Sequence, residues 1–277
     1  MAIEAINAIG SGAASEQIVR ILAEVTMRTQ RSASRLSAGI KNVSPEIDPA
    51  GLAQFMKLDA QINRISAAET NVTNAVSFSQ TQDAMLGQSQ VALNRMGELS
   101  ILAQDQTKSA DDRAIYQMEF TQLQNFLSDI GNQTFNGVNL FSSSDVQVTA
   151  DSGGNQLTLN GADLAAPVAS GGLAEVISGA SISTPAAAAS ALDTIKSGIQ
   201  NVANLRANAG ANLQSLNFAK ESNAALSQNL SAAGSRLNDV DVAEESRFFA
   251  GSKLILQAGV QSLRQANLLI GSMNVLA

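Results

Sequence analysis

Residues Arg236 to Ala277 read RLNDVDVAEESRFFAGSKLILQAGVQSLRQANLLIGSMNVLA. Within them Val242, Phe249, Leu256, Leu263 and Ile270 stand seven residues apart, and Ser252, Gly259 and Ala266 follow three of them by three positions. Residues so spaced share one helical face, which predicts an apolar seam with small side chains that permit close approach. No following segment covers this seam, so another part of the chain or another subunit is expected to bury it.

Working back from this stretch, Ile195, Val202, Ala209, Leu216, Asn223, Leu230 and Leu237 keep the same seven-residue spacing, with Leu192, Ile199 and Leu213 as a flanking row. They predict a long helix beginning near Ala186. Asn223 interrupts the apolar row, either as a register-fixing buried polar residue or as a solvated edge. Arg206 falls on the flanking row, where a snorkelling stem is expected rather than a site.

The middle of the chain changes period. Val146 and Val148 alternate, as do Leu157 and Leu159, around Asp151-Ser152-Gly153-Gly154-Asn155, a hairpin signature. Pro167, Gly171, Gly172, Gly179 and Pro185 mark loop and short strand.

Towards the N-terminus, Tyr116, Phe120, Leu123, Leu127 and Ile130 predict a helix capped by Ser109 and ended by Gly131. Leu58, Ile65, Val72, Leu86 and Leu93 share one row of a longer helix from Ala50 to about Gln104, broken only at Ser79. Asp48 reads as its N-cap and Pro49 as its first helical residue. Residues 1–40 carry Ile18, Leu22, Val25 and Leu36 at helical spacing, with polar Thr29 and Ser32 where apolar groups are expected. This predicts a weakly amphipathic helix, stopped by Gly39, Pro45 and Pro49, too polar to cover the C-terminal seam fully.

Aromatics make up 4% of the chain and Trp is absent, while the apolar content is mostly Ala, Leu, Ile and Val. Such composition suits long helices on thin seams. The expected fold class is mainly α, a long helical coiled-coil-like rod with a small β-hairpin region in the middle.

A net charge of −7 with no basic block argues against nucleic acid and anionic membranes as partners. No apolar run is long enough to span a bilayer, and no cleaved signal is expected, since Glu4 stands where a basic n-region would be. With no His and no Cys, the commonest general base and the thiol nucleophile are absent, so no enzyme, cofactor or metal is expected. Asp239, Asp241, Glu244 and Glu245 lack calcium-loop spacing and read as acids in a helix's first turn. Asp111 and Asp112 read likewise. Phe248 and Phe249 read as packing anchors.

Several ordered motifs resemble bacterial flagellin. Ser34-Arg35-Leu36-Ser37-Ala38-Gly39-Ile40-Lys41 is similar to that family's RLSSGLRI stretch, Asp48-Pro49-Ala50-Gly51-Leu52-Ala53 to DDAAGLA, and Gln133-Thr134-Phe135-Asn136-Gly137-Val138 to the TQFNG turn. Ser235-Arg236-Leu237-Asn238-Asp239-Val240-Asp241-Val242-Ala243-Glu244-Glu245 resembles SRIEDADFAEE, while Leu256-Gln257-Ala258-Gly259 and Gln265-Ala266-Asn267 resemble the closing helix. The first ten residues echo the family only at Ile6-Asn7, Pro45 and Pro49 are unexpected, and Val275-Leu276-Ala277 replaces a Leu-rich close.

The resemblance implies a short flagellin whose subunits polymerise into the extracellular filament used for swimming. The alternative is a hook–filament junction protein of the same organelle. It implies an N-terminal helix of the inner layer (D0) at 1–42, outer-layer (D1) helices plus a β-rich middle at 43–190, a long D1 helix at 191–236 and a C-terminal D0 helix at 237–277. Implied partners are further copies of the chain, the flagellar export apparatus and its chaperone, and cap and hook-associated proteins.

The expected filament interface comprises Ile18, Leu22, Val25, Leu36, Val242, Phe249, Leu256, Val260, Leu263, Ile270 and Leu276. Asn94-Arg95-Met96-Gly97-Glu98-Leu99-Ser100-Ile101 resembles QRVRELAV, through which a vertebrate innate receptor recognises some flagellins. Arg95, Glu98 and Leu99 match it, Gly97 replaces an arginine, and Glu119 is a candidate addition. The competing reading of this patch is a contact between subunits.

Overall fold

The computed structural model describes residues 2–41, 46 and 48–276, with side chains described for 16–41, 46, 48–265 and 268. Pro45 and the side chains of Ile270 and Leu276 lie outside the described residues. The elements run α1 (Ala2–Ala38), α2 (Pro49–Gln104), α3 (Ala110–Gly131), β1 (Thr134–Phe135), β2 (Val138–Asn139), β3 (Val146–Thr149), β4 (Gln156–Leu159), α4 (Pro185–Asn238) and α5 (Val242–Leu276). The fold is therefore mainly helical, with two small antiparallel ribbons between α3 and α4.

The helix starts follow from capping chemistry. The first backbone N–H groups of a helix have no partner in the helix and take side-chain acceptors instead. Asp48 Oδ1 accepts from the Gly51 amide at 2.9 Å, and Asp241 Oδ1 accepts from the amides of Ala243 and Glu244 at 2.9 and 3.1 Å. Thr184 Oγ1 accepts from the Ala187 amide ahead of α4. At α3, Ser109 and Asp112 form a reciprocal capping box. The hydrogen bonds from Ser109 hold the Asp112 carboxyl below its usual pKa.

By contact the chain divides into two compact units, residues 61–228 and residues 1–60 with 229–277. In the first, Ile65, Leu86, Leu93, Met96 and Leu99 of α2 are fully buried with Phe120 of α3 and Ile195, Val202 and Leu216 of α4. Within this unit the two main predicted rows supply the core, whereas Leu58, Leu230 and the flanking Leu192, Ile199 and Leu213 are half-buried and Leu237 is exposed. Ser79, the break in one of them, is itself buried.

The segment between α3 and α4 adds Leu140, Leu164, Leu173, Val176 and Ile182 to the same core. Short strand was expected after Gly161, but the segment forms a 3₁₀ turn at Val168–Ser170 and a π turn at Glu175–Gly179.

Carboxamide side chains on the helices hold this irregular segment. Gln82 Nε2 donates to the Leu140 carbonyl (2.7 Å), Gln124 Nε2 to those of Val176 (2.8 Å) and Ala180 (3.0 Å), and Asn201 Nδ2 to those of Val168 (2.7 Å) and Gly172 (3.1 Å). Asn223 Nδ2 donates to the Ala150 carbonyl at 2.6 Å. Asn223 is therefore neither a solvated edge nor a partner for another helix; it anchors the end of β3. Loops with no ladder of their own need such partners, because an unpaired buried carbonyl costs about 1–3 kcal/mol.

Candidate polymerisation surface

In the unit built from the two ends of the chain, α1 packs along α5. The contacts fix an antiparallel arrangement. Leu22 lies against Gly259, Ser32 against Glu245, and Ile40 forms an antiparallel bridge with Asp239. Beyond the helices the links are zipped together, the Lys41 amide donating to the Asn238 carbonyl at 2.6 Å and the Val240 amide to the Gly39 carbonyl at 3.1 Å. Gly39, with φ +72°, ends α1 in the left-handed region that favours glycine.

Ser32 was expected to weaken the cover that α1 gives. Instead it is buried, and its hydroxyl donates to the Glu245 carboxylate, with Arg35 Nη1 3.7 Å from the other carboxylate oxygen. A polar residue in the apolar row is matched by a polar residue opposite. Thr29 bonds within its own helix, to the Val25 carbonyl at 2.8 Å.

Ile18, Leu22, Val25 and Leu36 of α1 and Phe249, Leu256 and Leu263 of α5 are half-buried, whereas Val242 and Val260 are exposed. Sequence reasoning missed a second apolar set. Val19, Ile21 and Met27 on α1 and Phe248, Leu254, Ile255 and Leu268 on α5 are all at least 49% exposed. Phe248 is thus no packing anchor within the chain, although its neighbour Phe249 is half-buried. The signal was present as apolar residues beside the seven-residue row, which a search along one row passes over.

Of the acids expected in the first turn of a helix, Glu244 and Glu245 lie there in α5, Asp241 caps it from outside, and Asp239 precedes it in the bridge to Ile40, while Glu245 also accepts from Ser32 of α1. Among the described residues no group of three or more His, Cys, Asp or Glu is arranged to hold a metal ion.

On the other unit, Arg95 makes a two-pronged pair with Glu119 (2.6 and 3.1 Å) and a third bond to Glu98 (2.9 Å). The bonds that Arg95 donates to Glu119, then to Glu98, raise its pKa, and Arg95 in turn holds the Glu119 carboxyl below its usual value. These three side chains share the surface, while Leu99 is fully buried in the core and is no part of an exposed patch. Arg206, expected only to lay its stem along the row, also pairs with Asp83 at 2.9 Å.

The flagellin N-terminal helical region matches residues 9–145, and the flagellin C-terminal helical region matches residues 192–275. A flagellin of Halalkalibacterium halodurans is 31% identical over 86% of this chain and 88% of its own length. This chain belongs to the bacterial flagellin family. A flagellin of Treponema pallidum is similar at 29% identity, covering 90% of this chain and 92% of that protein. Among solved structures, a putative flagellar hook-associated protein of Vibrio parahaemolyticus shares the fold, with a TM-score of 0.59 and 14% identity over 70% of this chain and all of its own.

The protein is accordingly a structural subunit of the extracellular bacterial flagellar filament, a flagellin of short form, and the junction-protein alternative is not favoured. Its family is one of structural proteins.

Proposed function

We propose that this flagellin is joined into its filament through the α1–α5 pair, which makes D0 of residues 1–42 and 237–277 and D1 of residues 43–190 and 191–236. The observation that carries this reading is the apolar set left exposed after α1 and α5 have packed together. An exposed apolar patch of this kind marks an interaction surface. Ile18, Leu22, Val25, Leu36, Phe249, Leu256 and Leu263 join the two helices, and Val242 and Val260 with the second set meet other copies. Ile270, seven residues after Leu263 in the sequence, and Leu276 belong to the same proposed interface.

Heterologous contacts whose rotation does not close give an open helical polymer, so one repeated interface suffices to build a filament. The export apparatus and its chaperone, and the cap and hook-associated proteins, are the further partners in this reading. Arg95, Glu98 and Glu119 form the candidate receptor patch, and buried Leu99 belongs to the core rather than to its surface.

Deletion of Leu254–Ala277 tests the reading. The shortened chain is expected to keep the far-ultraviolet helical signal of residues 61–228 and to form no filaments by electron microscopy. Filaments of normal length from it would overturn the proposal.

A further inference from the structure

The chain holds two Asn-Gly pairs, Asn136-Gly137 and Asn160-Gly161. Asparagine before glycine is open to an intramolecular reaction, because the next backbone nitrogen can reach the carboxamide carbon and a residue with no Cβ does not obstruct it. By sequence alone the two pairs are equal. Their surroundings differ.

Asn136 and Gly137 are the two loop residues between β1 and β2, at φ +51° and +80°. The Leu140 amide donates to the Gln133 carbonyl at 3.0 Å, so by alternation Phe135 and Val138 form the next hydrogen-bonded pair. The ladder thus closes ahead of the loop. Among the described residues neither the Gly137 amide nor the Asn136 carboxamide has a hydrogen-bond partner. Both residues are exposed, and a Cβ at Gly137 would meet nothing within 4 Å. Strands of two residues give such a turn little support.

At Asn160-Gly161 the corresponding amide is taken. The Gly161 N–H donates to Asp145 Oδ1 at 3.0 Å, and a Cβ on Gly161 would lie 2.7 Å from the Ser142 carbonyl oxygen. Ring closure would draw that nitrogen off its acceptor where the backbone has no room to move. The Asp145 carboxylate also opposes removal of the amide proton, since one negative charge disfavours another beside it.

We propose that Asn136 is a site of spontaneous deamidation and that the fold protects Asn160 from the same reaction. The Gly137 nitrogen, once deprotonated, forms a bond to Asn136 Cγ; the Cγ–Nδ2 bond breaks, and ammonia leaves with a proton taken from water. Water then opens the five-membered succinimide at either carbonyl. Opening at Cγ leaves an aspartate, and opening at the backbone carbonyl leaves an isoaspartate, whose chain runs through the side-chain methylene. In sum one carboxamide and one water become one carboxylic acid and one ammonia, with no oxidant or reductant.

Both products alter their surroundings. Asn136 lines a groove of about 570 Å³ over α2, and none of the residues lining that groove is charged, so the new carboxylate brings a charge into a neutral site. The isoaspartate also lengthens the turn beside Phe135, whose ring stands edge-on to Phe78 with centroids 6.0 Å apart at 89°.

The full-length chain is incubated in mildly alkaline buffer, native and in urea, then cleaved after acidic residues, which separates the two sites because Asp145 and Asp151 lie between them. Mass spectrometry reads the exchange of NH2 for OH at each asparagine. In the native chain Asn136 is expected to convert about tenfold or more faster than Asn160, a barrier difference of about 1.4 kcal/mol or more. In urea the two should convert alike. Equal native rates, faster conversion at Asn160, or an Asn136 that stays intact while the urea sample reacts would each overturn the proposal. A difference of the same size in urea would assign it to local sequence and overturn protection by the fold. Asp145→Ala, at an exposed position, is expected to raise conversion at Asn160 several-fold and leave that at Asn136 unchanged. No rise at Asn160 overturns the protective role of Asp145.

Discussion

Leu22 occupies the space that any side chain at Gly259 would enter: a Cβ at Gly259 would come within 2.6 Å of Leu22 Cδ2 and 3.3 Å of Leu22 Cγ. The close approach of α1 and α5 is therefore set at this point by the absence of a side chain. Because the clashing atoms belong to a flexible side chain, a methyl group can be met by rotating Leu22. Gly259→Ala also gains about 0.8–1 kcal/mol of helix propensity. Near-neutral polymer stability is expected for Gly259→Ala, and loss of assembly for Gly259→Leu. Thermal disassembly followed by light scattering measures both, and equal behaviour of the two variants would refute the packing argument.

The Ser32–Glu245 bond predicts a second pair of effects. Ser32→Ala leaves a largely enclosed carboxylate with only the 3.7 Å contact to Arg35, and a hydrogen bond to a charged group contributes about 1.5–3 kcal/mol. Glu245→Gln keeps an acceptor in place. The polymer should melt at a lower temperature with Ser32→Ala than with Glu245→Gln, and the reverse order would show that charge rather than the hydroxyl fixes the register.

Gln124 donates to two carbonyls of the segment before α4. Gln124→Ala removes both donors, at about 1–3 kcal/mol for each carbonyl left buried and unpaired. Urea denaturation of the full chain should show a lower midpoint for the transition of residues 61–228. An unchanged midpoint would mean that these carbonyls find water.

The capping box gives a pH dependence. Asp112 has a folded-state pKa below its unfolded value, with hydrogen bonds from Ser109 as the main cause. A depressed carboxyl stabilises fully above its unfolded pKa of about 3.9, and that contribution is lost as pH falls through the lower folded value. Wild type should therefore exceed Asp112→Asn in stability at pH 6, and the gap should close on acidification below pH ~4. Melting temperatures across that range decide it; a gap that widens in acid would give the opposite sign.

Much of this architecture can be read in the residues. The rows Leu58 to Leu93 and Ile195 to Leu237 carry the long helices, and Asp48-Pro49 and Ser109 mark two of their starts, because helical period and capping chemistry are local. Asn136-Gly137 was legible too, yet it was read only as a turn. With φ +51° and +80° these residues make the two-residue connection between β1 and β2, the strongest short hairpin signal there is. What composition and period cannot convey is pairing across long separations. Ser32 looks like a defect until Glu245 stands opposite, 213 residues away, and Asn223 looks ambiguous until Ala150 is beside it. The exposed apolar residues of α5 were hidden for another reason: a helix with apolar residues both on its packed face and beyond it has no single apolar stripe.

The carboxamides of α2, α3 and α4 that reach into residues 140–184 mostly grip peptide carbonyl. Every residue type offers the same carbonyl. Substitution at the exposed positions of that stretch can therefore change the face shown to the surroundings while leaving these moorings intact, whereas Leu140, Leu164, Leu173, Val176 and Ile182 are held apolar by the core they enter.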